Sequence, residues 1–122
     1  MYKSSVHMER PAIFKGRHNR SKGKTLVFLS VRQQQGYSEL VSAQYLHWMT
    51  GVPLATLRDR LRLWYRWKYL VRRAVDDRGR AVFRYGIAAR GQAYVNEVMP
   101  QEVYDELVNE IFEWQQRQRH NR

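Results

Sequence analysis

The chain has 122 residues, no cysteine and a formal charge of +11. That length suits one domain with a modest core, and the lack of cysteine excludes a disulfide framework or a thiolate metal site. So large a charge bears on partners rather than on fold: nucleic acid is the first polyanion to consider, ahead of anionic membrane and acidic protein.

Taken from the N-terminus, residues 1–24 carry seven basic side chains against Glu9, with Gly16, Gly23, Pro11 and several serines between them. They read as a flexible basic arm. No apolar signal-peptide core is visible. The longest uncharged run, Leu40 to Leu57, is broken by Gln44, His47, Gly51 and Pro53, so it does not suit a membrane span. A cytoplasmic location, at the nucleoid when bound to DNA, is expected.

Thr25 to Gln35 reads as a first helix, with Thr25 as its cap and Gly36 as its left-handed end. Tyr37 to Val41 is a short connection with room for a small strand. Ser42 suits the N-cap of a second helix through Met49, with Tyr45, Leu46 and Met49 inside. Thr50-Gly51-Val52 is a turn, and Pro53 fits the first position of a third helix running to Leu70. At 100° per residue, Leu57, Leu61, Trp64 and Lys68 share one face of that helix. Ala55, Arg58, Arg62, Arg66 and Tyr69 share the opposite face. Leu70 to Val75 and Arg80 to Ile87 alternate as strands around the turn signal Asp76-Asp77-Arg78-Gly79. Ala88 to Val98 is a fourth helix, broken at Met99-Pro100. Pro100 to Gln118 is a fifth, with an apolar stripe.

Charge follows this division. Residues 58–90 hold eleven basic and three acidic side chains, whereas residues 91–122 hold three basic and six acidic. The positive charge is directed, not uniform.

The order is helix, helix, turn, helix, hairpin, helix, helix. Ser42 to Arg73 with the hairpin DDRGRAVFRY and the segment Tyr85-Gly86-Ile87-Ala88-Ala89-Arg90-Gly91 resembles a winged helix-turn-helix. It is similar to MarR- and PadR-type transcriptional regulators and to small archaeal or viral winged-helix proteins, over roughly residues 25–98. The resemblance implies a mostly α fold with a small β-hairpin wing and a C-terminal dimerisation helix over 100–118. It implies that helix 53–70 lies in the major groove. There Ala55, Thr56, Arg58, Asp59 and Arg62 would face bases, since arginine forks match guanine, methyl groups match thymine and Asp accepts from cytosine. Arg66, Tyr69, Arg72 and Arg73 would meet phosphates. The wing, 71–87, would bring Arg78, Arg80 and Arg84 to the minor groove and backbone. Arg20, Lys22 and Lys24 of the arm would track the duplex.

In the last helix, Val103, Tyr104, Leu107, Val108, Ile111, Phe112 and Trp114 form a stripe that suits a homodimer interface. The alternative is packing on the chain's own first helix. The expected activity is that of a sequence-specific double-stranded DNA-binding transcriptional regulator. The competing readings are a nonspecific or architectural DNA- or RNA-binding protein and a winged helix that binds an acidic protein. The arginine stripe could also be a solvated face, and the hairpin merely solubilised by charge.

Nothing in the sequence points to an enzyme. Four histidines lack metal-ligand spacing, no glycine-rich phosphate loop follows a strand, and no cofactor is implied. His47 reads as structural. A cavity near Phe28, Phe112 and Trp114 would suit an apolar effector of unspecified identity.

Overall fold

A computed structural model describes residues 21–120. Arg20 and most of the expected arm lie outside the described residues. Helix α1, Lys24–Gln34, follows a short 3-10 turn, Ser21–Gly23. Thr25 is therefore not its cap but a buried residue of its first turn. Gly36 does end it, at φ +96°. Its N–H and that of Tyr37 bond back to the Gln33 and Arg32 carbonyls at 3.0 and 3.1 Å.

Strand β1, Val41–Ser42, leads into α2, Ala43–Thr50. Ser42 caps α2 as its sequence suggests, its hydroxyl oxygen accepting from the Tyr45 N–H at 3.1 Å. Leu46 and Thr50 are buried on α2. Tyr45, expected inside, is exposed instead, and its ring lies over Arg32. Gly51 closes the helix at φ +79°. The His47 Nδ1–H donates to the Val52 carbonyl at 2.7 Å and so holds the turn.

Helix α3, Leu54–Arg66, begins after Pro53, which is its N-cap rather than its first residue. Leu57, Leu61 and Trp64 are buried on one side, as their spacing predicts. The helix stops four residues before the expected Leu70. Lys68 takes a left-handed conformation, φ +69°. The Lys68 and Tyr69 N–H groups then reach back to the Tyr65 and Trp64 carbonyls, both at 2.9 Å. This paired closure is usually made with glycine. It swings Tyr69 beneath the helix onto Trp64, with ring centroids 5.3 Å apart. Lys68→Gly is expected to stabilise the fold by about 1 kcal/mol, because only glycine takes that backbone without a Cβ penalty. A melting temperature several degrees higher would show it; an unchanged or lower one would contradict it.

Strands β2, Leu70–Asp77, and β3, Arg80–Ile87, form the hairpin. The turn is tighter than its sequence suggests: only Arg78 and Gly79 lie between the strands, at φ +57° and +82°. Two consecutive positive φ values match the natural twist of a two-residue hairpin. Strand β1 adds to the other edge of β3, giving an antiparallel sheet in the order β1-β3-β2. After it, α4, Ala89–Ala93, widens into a π-helical turn, Tyr94–Val98. Tyr94 and Val95 both enter the core there. The chain straightens at Met99, and α5, Gln101–His120, follows.

Two apolar clusters share α1. One joins Leu26 and Leu29 to Leu46, Leu57, Leu61, Trp64, the inner ends of the strands and Tyr94. The other joins Val27 to Met99, Val103, Leu107 and Ile111. Because α1 is wrapped from both sides, it has no single apolar stripe. Its buried Ser30 is satisfied by Gln92, whose Nε2 donates at 2.7 Å. The fold is mostly helical with one small antiparallel sheet. Among the described residues no helix is long and apolar enough to cross a membrane.

Candidate nucleic-acid interface

Helix α3 carries its polar face to solvent. Ala55, Arg58, Asp59, Arg62 and Arg66 are exposed, and Thr56 is half-buried. The five exposed side chains point away from Leu57, Leu61 and Trp64, with Thr56 at the edge, so the core holds the helix while its arginines face solvent. Arg62 lies 3.5 Å from Asp59, with both side chains well exposed. Such a surface pair is worth at most about 1 kcal/mol and breaks readily for a stronger partner. Arg60, at the edge of the stripe, is half-buried; burial pushes its guanidinium below its ordinary pKa while Asp59 pushes back. It stays a cation throughout the accessible pH range.

Tyr69 does not join this face. The early end of α3 buries it among Trp64, Trp67 and Tyr94, so its expected contact with phosphate is ruled out. Arg90 lies over its ring.

The hairpin divides the arginines that the sequence groups together. Strand register pairs Arg72 with Tyr85, Ala74 with Phe83 and Leu70 with Ile87 on one face. It pairs Arg73 with Arg84, Val75 with Val82 and Asp77 with Arg80 on the other. The first face is turned toward α3. On it the Arg72 guanidinium carbon lies 3.9 Å from the ring centroid of Tyr65 and 3.9 Å from that of Phe83. A cation held between two rings is a clamp between α3 and the hairpin, not a free phosphate ligand. Sequence reading missed it, although the diagonal relation of Arg72 to Phe83 follows once the two-residue turn is assigned. Arg73 and Arg84 lie on the opposite face and leave the α3 surface altogether. Arg80 shares their side, across from Asp77. Arg78 stands at the tip of the turn.

The clamp makes a prediction. Arg72→Ala is expected to loosen the hairpin from α3 and, were the α3 face to bind a duplex, to weaken that binding about tenfold without flattening its salt dependence, because no phosphate contact is removed. Arg72→Lys should recover little, since the flat guanidinium is what stacks. A salt slope lower by about one unit would instead mark Arg72 as a phosphate ligand.

Two of the arm's expected ligands are among the described residues. Lys24 is tied to Glu110 of α5 at 3.0 Å, so it links α1 to α5 and is not free for DNA. Lys22 is half-buried.

No family model, curated protein or solved structure gives a significant match to the chain.

The stripe on α5 is largely used within the chain. Val103, Leu107 and Ile111 are buried against α1, which corrects their assignment to a dimer face. Trp114 is likewise internal: its Nε1–H donates to the Trp48 carbonyl at 2.8 Å. Gln115 donates to the Met49 carbonyl at 3.0 Å. Together they satisfy carbonyls at the end of α2. Phe112 remains 58% exposed, beside half-buried Val108. A groove of about 480 Å³ opens between α1, α2 and α5, lined by Phe28, Val31, Arg32, Tyr45, Met49 and Phe112. Trp114, expected at such a cavity, is not in it. Among the described residues no group of His, Asp or Glu is placed to hold a metal ion.

Proposed function

We propose that the protein is a sequence-specific double-stranded DNA-binding regulator of the winged helix-turn-helix kind. The observation that carries this reading is the exposed row of Ala55, Arg58, Asp59, Arg62 and Arg66 on a helix anchored by Leu57, Leu61 and Trp64. Such a helix fits a major groove about 12 Å wide. Preceded by α2 and the Gly51 turn, it occupies the place of a recognition helix, with its N-terminal half toward base edges. The hairpin flanks it as a wing, and Arg78 at the tip suits the adjacent backbone or minor groove. The acidic side chains of α5 keep that helix away from phosphate. Phe112, exposed on α5, is left for a second copy of the chain, so a homodimer would place two such helices on one duplex about a helical turn apart.

Binding to a mixed-sequence duplex, to single strands and to duplex RNA at moderate salt tests the class of partner. The reading expects duplex DNA to compete best. Preference for single strands would support base stacking on exposed aromatics instead, and no affinity for any of them would point to a protein partner.

A further inference from the structure

We infer that the sheet face turned away from α3 is a second DNA-binding surface, centred on the Arg73–Arg84 pair, by which one molecule holds two duplex segments. The first segment is the one read by α3 under the proposed function; the second rests on separate observations. Arg73 and Arg84 are directly opposed across β2 and β3 and both are exposed. Like charges at opposed positions repel. Among the described residues neither arginine has an acidic partner within ion-pair distance; Asp77 on that face stands across from Arg80, and Glu39 is 3.6 Å from Arg32.

The pair borders a depression of about 650 Å³ whose wall includes Arg32, Tyr37, Glu39, Tyr45 and Ser42. Arg32, on that wall, is held within the chain: its Nη1 donates to the Tyr45 hydroxyl at 3.5 Å and its Nη2 lies 3.6 Å from Glu39. Its Nε is buried and has no hydrogen-bond partner. Two exposed, mutually repelling arginines beside one depression match anionic oxygens, and the phosphodiester backbone supplies oxygens in a row. Strand alternation keeps this surface apart from α3: Arg72, between them in sequence, is held by Tyr65 and Phe83 on the other side.

The test is capture of a second, labelled duplex by protein held on an immobilised duplex. The full chain is compared with R73Q/R84Q and with R58Q/R62Q. The parent is expected to capture the second duplex. R73Q/R84Q should occupy the immobilised duplex within about twofold of the parent yet lose capture at least about tenfold, since it lacks only backbone contacts on the far face. Capture by R73Q/R84Q equal to the parent overturns the inference, as does a parent that never holds two duplexes. R58Q/R62Q behaving like the parent, while R73Q/R84Q fails to bind, sinks the reading of α3 and leaves the far face standing. Thermal melting guards against misfolding. Without DNA the R73Q/R84Q chain should melt no lower than the parent, because a repulsion has been removed. Saturating duplex should raise the melting temperature of the parent more than that of the variant; equal rises contradict a far-face site.

Discussion

Gly91→Ala is expected to cost about 3 kcal/mol or more, the largest loss of stability anticipated from a single methyl group in this chain. Gly91 is buried in α4. A Cβ there would overlap the Tyr69 backbone carbonyl and press on the Ile87 side chain at 2.9 Å. The carbonyl cannot yield, because it accepts the Ala88 N–H at 3.0 Å and so pins the end of the hairpin to the start of α4. Typical domains are stable by only about 5–15 kcal/mol, so this loss would be plain in a urea titration as a lower midpoint. Gly36→Ala is the comparison. It has the same added methyl and a positive φ of +96°, but open space around it, so only backbone strain of about 1 kcal/mol is expected. Equal effects at the two glycines would show that the approach of α4 to Tyr69 is not a tight one.

Under the proposed function, removing Arg58 and Arg62 is expected to weaken specific binding by about tenfold to a hundredfold each, with folding unchanged. Both are exposed on α3, one helical turn apart, so neither supports the core. A bidentate contact to guanine is worth about 1–3 kcal/mol of discrimination. Their losses should not simply add, because neighbouring contacts on one helix share solvent and register. Asp59→Ala would release Arg62 from its 3.5 Å partner, changing base preference more than total affinity. Competition against a scrambled duplex separates the cases. Loss confined to the specific duplex supports base reading, and equal loss on every duplex reduces both arginines to backbone contacts.

The parts of the fold that were legible in the sequence are those governed by local chemistry. Ser42 and Gly36 act as caps, and Leu57, Leu61 and Trp64 point inward, because neighbouring residues decide these features. The extension of α3 to Leu70 failed because its end depends on a left-handed lysine. Lysine gives no signal for that conformation, and Tyr69 goes inward only because Trp64 and Tyr94 wait there. The α5 stripe was visible but its partner was not. Val103, Leu107 and Ile111 look alike whether a second chain or α1 covers them. For the candidate site, helical periodicity placed Ala55, Arg58, Arg62 and Arg66 at the surface correctly, while Tyr69, counted on the same face, goes inward. The hairpin arginines were pooled because their division between two faces depends on register, and register depends on the length of the turn.

The most direct measurement is selection of bound duplexes from a random pool, with the mass of the resulting complex determined. The account predicts strong enrichment of one motif by the parent chain, loss of that enrichment in the Arg58 and Arg62 variants, and a symmetric motif where two chains share one duplex. A parent pool that stays random after repeated rounds, at salt where the protein still binds, would contradict sequence reading by α3.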